Sequence, residues 1–347
     1  MASRPVVVKL GSSLVATDEG EPRRDLLAGI AAEIARHEAP VAVVSSGAIA
    51  LGRRKAGSPR RRLPALAHLQ AASALGQAEL QQLWQQAFAA HGLHVAQVLL
   101  TASDLTDRRP YLNVRDALTA LFEAGAVPVI NENDATATDE ISFGDNDVLA
   151  SQAAVLLRAS RLILLTAVGG ILASPPDGGE GTVVADGAAV TDAMFGVGSP
   201  LGRGGVASKV AAARLAAAGG VEAFVAAPES LAELLTGRRA GTRFAAHAEG
   251  ESAFKLWLRH GMRIASSLTI DDGAVAAVRE RGASLLAVGV VEWSDDFRAG
   301  DGLLVADRGG DPVAHGIAAV DAAALAGRPR DTEVVHRDRL VLLQPTE

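Results

Sequence analysis

Residues 127–150, VPVINENDATATDEISFGDNDVLA, concentrate side chains that manage charge. Between Asn131 and Asp147 lie six acids (Glu132, Asp134, Asp139, Glu140, Asp145, Asp147) and two further amides (Asn133, Asn146), with no Lys or Arg. Carboxylates this dense repel one another and need cations: a substrate ammonium, a metal, or lysines from elsewhere in the chain. A solvated acidic loop is the plain alternative. Three more stretches put small polar residues at the ends of apolar runs. They are Lys9-Leu10-Gly11-Ser12, Ser45-Ser46-Gly47 and Gly202-Arg203-Gly204-Gly205-Val206-Ala207-Ser208-Lys209, the last opening a helical pattern. Glycines at a helix start leave N–H groups free and a dipole that favours an anion, so phosphate binding is a natural use. Lys9 and Lys209 would neutralise such a phosphate; outside that context each is an ordinary surface charge. The octet is not a Walker loop, because GxxxxGK[ST] is not matched, and no GxSxG elbow occurs. The eight histidines form no HxxxH or HExxH pattern, so no His-ligated metal is expected.

The elements that must hold these groups follow from hydrophobic periodicity. Apolar, β-branched runs at 6–10, 41–44, 95–100, 127–130, 162–166 and 221–226 read as buried strands. Helical patterns occupy 25–38, 63–90 (one helix or two), 112–124, the stretch from Asp147 onward, and 207–218. Residues 53–62, basic and holding Gly57 and Pro59, read as an exposed loop. Strands alternating with helices predict an α/β fold: three α/β/α layers around a mostly parallel sheet. Such sheets bind ligands at their carboxyl edge, where the polar stretches fall. After about residue 237 the pattern changes. Residues 237–262 read as a connecting segment, and β-like pieces recur at 264–270, 285–291, 303–306, 313–319 and 340–343. Gly or Asp separates most of them, which suggests a small β-barrel with one or two short helices. A chain of 347 residues fits two domains, expected at 1–240 and 263–347 with a linker at 241–262.

Composition narrows the class. With 49% hydrophobic residues the chain can bury sizeable cores, and without cysteine it can form neither disulfides nor thiolate metal sites. It opens without a long apolar signal core, and no apolar run is long enough to span a bilayer, so a cytoplasmic protein is expected. Its net charge of -7 gives no general attraction to nucleic acid or anionic membrane.

VVVKLGSSLVA, VVSSGAIALG, QVLLT, NVRDAL, PVINENDATA, FGDNDVLA and the GRGGVASK helix, in that order, resemble the amino acid kinase family. KLGSS is shared across that family, whereas INENDA followed by GDND resembles its glutamate 5-kinase branch much more specifically. TIDDGAVAAVRERGASLLAVGV, FRAGDGLLV, VAHGIA and VVHRDRLVL resemble the PUA module that follows the kinase domain in many bacterial members. The resemblance implies ATP and Mg2+ as cofactors, L-glutamate as acceptor, proline as a feedback inhibitor and a homo-oligomer (dimer or tetramer). Carried over by position, it makes Lys9 and Lys209 the cations on the transferring phosphoryl group and Asp147 the group that orients them. Gly11 and Gly47 let backbone approach ligand. Ser46, Asp134 and Asn146, with Asn131 and Asn133 in the same loop, would hold glutamate. Thr166, Ala167 and the run Arg203, Gly204, Gly205, Val206, Ala207, Ser208 would hold the nucleotide. The segment after Thr166 departs from the family pattern TDQxGLYTADP: Ala167 stands where an Asp is usual.

The chemistry agrees with those assignments. A side-chain carboxylate acceptor has a pKa near ~4.3 and is already ionised, so the absence of a catalytic His pair is expected. Phosphoryl transfer then depends on position and charge neutralisation. Asp134 suits the substrate ammonium, and the Asn146 amide suits a carboxylate it does not repel. Two rivals remain: a kinase of the same fold for another small acid, and a silent regulator with an altered nucleotide site. For residues 263–347 the formal charge is -5, from nine Arg against fourteen Asp and Glu, so this module is expected to be a poor RNA binder.

Overall fold

Valine and isoleucine pack well on a pleated surface, and the runs they dominate become the central sheet. The computed structural model describes residues 3–55, 66–101, 104–105, 108–136, 145–173, 181–191, 194, 205–247, 255, 258–259, 262, 264–294, 296–327 and 329–343. Two compact units divide the chain, Met1–Glu251 and Ser252–Glu347. In the first, the strands are β1 (Val6–Leu10), β2 (Val41–Ser45), β3 (His94–Leu100), β4 (Ala126–Glu132), β5 (Arg161–Leu165), β6 (Glu222–Ala226) and β7 (Thr242–Phe244). They lie in the order β3-β4-β2-β1-β5-β6-β7, and every pair is parallel except β6–β7.

Helices cover both faces, as continuous apolar strands require. Val6, Val8 and Leu10 face a core built from α1 (Arg24–Ala35), α2 (Ala48–Lys55), α3 (Leu66–Ala89) and the short α4 (Leu231–Leu235). Side chains alternate along a strand, so Val7 and Lys9 point to the opposite face. There α5 (Asp145–Leu156) crosses from β4 to β5, packing over β2 and β1, and α6 (Val206–Ala218) packs beside it. Helix Arg108–Glu123 packs on β4.

Several expectations need revision. Of the pattern at 63–90, which left one helix or two open, residues 66–89 form one unbroken helix, α3. Arg53, Arg54 and Lys55 are not loop but the last turn of α2, held there by pairs from Arg54 and Lys55 to the buried Glu79 of α3 (2.8 and 3.4 Å). Residues 242–244, inside the presumed connecting segment, form the antiparallel edge strand β7. The helices α2 and α3 touch backbone to backbone through glycines. A Cβ on Gly52 would stand 1.7 Å from the Ala72 carbonyl oxygen, and one on Gly76 1.8 Å from that of Ala48.

The second unit has a five-stranded sheet built around Ser266–Ile270, Gly302–Ala306 and Pro312–Ile317, flanked by Val290–Trp293 and Leu340–Leu342. Leu285–Leu286 pairs separately with Glu333–Val335. The helix Asp272–Arg281 is capped by the Asp271 carboxylate, which accepts from the Ala274 N–H at 2.8 Å. This unit has its own core, including Leu268, Ile270, Leu303, Val305 and Val313. Among the described residues no helix is long and apolar enough to cross a membrane.

Candidate active site

Parallel pairing aligns the carboxyl ends of neighbouring strands: Leu10 lies beside both Ser45 and Leu165, and Leu165 beside Ala226. The polar stretches therefore leave the sheet at one edge. Lys9 stands one residue before the end of β1, on the face crossed by α5 and α6. The first turn of α5 brings Asp147, where a carboxylate is favoured by the helix dipole. The first turn of α6 brings Lys209, where the dipole disfavours a cation, so its position needs a compensating anion.

Asp147 is that anion. Its Oδ1 accepts from the Lys9 ammonium, and its Oδ2 from Lys209 Nζ at 3.2 Å and from the Ser208 hydroxyl at 2.9 Å. Asp147 is 0% exposed, Lys9 3% and Lys209 7%. Burial, with help from Lys209, pulls the Lys9 ammonium down to about 8 against the opposing effect of Asp147. Burial alone would raise the Asp147 carboxyl, but the two ammonium groups and the Ser208 hydroxyl hold it below its usual range. Gly11 follows at the strand end, where a Cβ would come within 3.9 Å of Lys9 Nζ. Two ammonium groups sharing one carboxylate in a dry site suit a polyanion.

A second network starts one residue earlier, at Asn146. The backbone N–H of Glu132 donates to Asn131 Oδ1 (2.9 Å) and to Asn146 Oδ1 (3.2 Å). Asn146 Nδ2 in turn donates to Ser46 Oγ and Asn131 Oδ1, each at 3.0 Å. Asn131 Nδ2 donates to Gln77 Oε1 of α3 at 2.8 Å. One turn earlier on the same helix, the Ser73 hydroxyl donates to the buried Asp134 carboxylate at 2.7 Å. Below Ser46, the indole of Trp84 donates to Ser45 Oγ at 3.0 Å. Gly47 makes the turn that presents Ser46: its φ is +112°, and a Cβ would meet Val15 at 2.7 Å, so the position needs glycine.

Lys9, Lys209, Asp147 and Ser208 thus come together, as do Ser46, Asn131 and Asn146. Asn133 is half-buried, its N–H donating to the Leu100 carbonyl at 2.8 Å. Thr166 and Ala167 lie at the end of β5 on the same edge, where the Thr166 N–H donates to the Ala226 carbonyl at 2.9 Å and Ala167 is exposed. Gly205 caps α6, and Val206 and Ala207 are exposed in its first turn. Arg203, Gly204, Asp139 and Glu140 fall outside the described residues. Ser73, Gln77 and Trp84 were not expected from sequence. Their only signal is a polar stripe at four-residue spacing, Ser73 and Gln77, on an otherwise apolar face.

Comparison with known proteins follows the same lines. Residues 4–227 match the amino acid kinase family model, and residues 266–334 the PUA domain. The glutamate 5-kinase of Sphingopyxis alaskensis is 43% identical, covering 97% of this chain and 97% of its own. That of Chromohalobacter salexigens is 41% identical over 98% and 96%, and that of Pseudomonas aeruginosa 40% over 98% of both. Among solved structures, a carbamate kinase from Giardia lamblia bound to AMP-PNP superposes with a TM-score of 0.51, at 19% identity over 71% of this chain and 99% of that one, which speaks for the fold alone. On the strength of identity sustained from end to end, the chain belongs to the amino acid kinase family, in the glutamate 5-kinase branch that carries a PUA domain.

Proposed function

We propose that this protein transfers the γ-phosphoryl group of ATP to the side-chain carboxylate of L-glutamate, giving L-glutamyl 5-phosphate and ADP, the first step of proline biosynthesis. One observation carries the reading. The buried Lys9–Asp147–Lys209 cluster abuts, through the neighbours Asn146 and Asp147, a network of amides and hydroxyls suited to an amino acid. The relatives' shared name supports the same acceptor.

The acceptor oxygen is already anionic, so no side chain needs to take a proton from it. What the chain supplies is geometry and charge. Lys9 and Lys209 approach the transferring group from β1 and α6, and Asp147 fixes both ammonium groups in place. Ser208 joins the same carboxylate, and Gly205, Val206 and Ala207 open α6 with N–H groups available to phosphate. Asp134 meets the substrate ammonium, while Ser46 and Asn146 meet its carboxylate. Among the described residues no group of three acids or histidines is arranged to hold a metal. When bound, Mg2+ neutralises polyphosphate charge.

The family resemblance also brings a cytoplasmic homo-oligomer and feedback by proline. The acidic C-terminal unit serves a structural or regulatory role rather than RNA binding. With MgATP and hydroxylamine, L-glutamate yields hydroxamate, whereas L-aspartate and N-acetyl-L-glutamate do not; hydroxamate from another acid in place of glutamate would overturn the reading. Ala167 favours a second reading, a silent regulator, for which millimolar MgATP would give no thermal stabilisation.

A further inference from the structure

The orientation of every amide in the Asn131–Asn146 network is fixed by one group that cannot flip. The Glu132 backbone N–H is only a donor, so the oxygens of Asn131 and Asn146 must face it, at 2.9 and 3.2 Å. Asn131 then has its NH2 turned toward α3, and only the oxygen of Gln77 can receive it, at 2.8 Å. This leaves Gln77 Nε2 as the end of the relay. Gln77 is 9% exposed, and its Nε2 is buried with no acceptor among the described residues. Two buried N–H donors without partners are costly in a folded protein and call for an explanation.

The neighbours of Gln77 indicate what completes it. Ser73, one turn before it on the same face of α3, holds the Asp134 carboxylate. If Asp134 takes the ammonium of an amino acid, the carboxylate on the same carbon lies within a few ångströms of that ammonium. An uncharged NH2 donor beside Asn131 suits that group, since an oxygen anion accepts what Gln77 has left to give. We infer that Gln77 is a specificity-determining residue that donates its free Nε2–H to the α-carboxylate of the acceptor. Through it the enzyme distinguishes an α-amino acid from its α-amide. The inference rests on the glutamate kinase reading and adds a recognition element from α3, the helix that also carries Ser73.

Gln77→Glu tests this directly. It is nearly isosteric and keeps an oxygen for Asn131, but it replaces the donor with an acceptor. In the full chain, hydroxamate formation is followed with L-glutamate and with its α-amide as acceptors. The expected result is a KM for glutamate raised about 10–100-fold, with the KM for ATP unchanged and the preference for glutamate over the α-amide collapsed. Should Gln77→Glu fail to fold, Gln77→Met serves. It also disturbs Asn131, so its readout is the ratio of the two acceptors, which a purely structural role would not move. A glutamate-to-α-amide preference equal to wild type in either folded variant overturns the inference. If the wild-type chain itself makes no hydroxamate from glutamate, the kinase reading has failed first, and the two failures are distinguishable.

Discussion

At the scale of the residue, the cluster of Lys9, Asp147 and Lys209 sets two expectations. Replacing Lys209 by Met removes one ammonium from the phosphoryl group while leaving the glutamate network intact. The expected loss is about 10²–10³ in kcat with little change in the KM for glutamate, measured by steady-state hydroxamate assay. Lys9 predicts a pH effect. Because burial brings its ammonium to about 8, kcat/KM for ATP should fall as pH rises through that value. The limb in kcat should lie higher, since a bound polyphosphate favours the charged form. Stability should move the other way. Between about 8 and the ordinary 10.5 the unfolded chain keeps a proton that folded Lys9 has lost, so this group's contribution to stability rises with pH across that window. Denaturant titrations at both ends, with Lys9→Met as the reference, would show the difference. Asp147 sits below its usual range, so its contribution is present at neutral pH and disappears only as the medium becomes acidic enough to protonate it in the folded state.

At the scale of the element, α3 matters as much as the loops. Gly76 lies between Ser73 and Gln77, and its Cα packs against the Ala48 carbonyl of α2. Gly76→Ala should force the helices apart, costing about 1–3 kcal/mol in urea denaturation and raising the KM for glutamate more than that for ATP. This helix also marks the limit of what the sequence could tell. The strands near residues 6–10, 41–45 and 161–165 were legible because uninterrupted apolar runs bounded by Gly or Ser have few other solutions. Lys9, Asp147 and Lys209 were legible as candidates because charged groups at strand ends and helix starts stand out from their surroundings. Ser73, Gln77 and Trp84 were not: QAASALGQ reads as ordinary helix, and nothing local says which strand its polar face will meet. Only the sheet order, with β2 between β4 and β1, carries α3 over Asn131 and Ser45. Arg54 and Lys55 misled for a related reason. Their partner Glu79 is distant in sequence, so a helix end held by ion pairs looked like a loose basic loop.

At the scale of the whole molecule, the two units have separate hydrophobic cores, one under the parallel sheet and one within residues 252–347. A chain ending at residue 251 should therefore fold and form glutamyl hydroxamate with KM values within about twofold of the full protein. Loss of cooperative unfolding in that truncation, followed by circular dichroism, would contradict it. The kinase unit is itself assembled from distant pieces, since Asp147 gathers one lysine from 138 residues upstream and another from 62 residues downstream. During synthesis these partners emerge from the ribosome in turn, the second lysine last. The Lys9–Asp147–Lys209 cluster therefore cannot be complete until translation has passed Lys209 in α6. The order of the pieces along the chain makes Lys209 the last member of the cluster to be supplied.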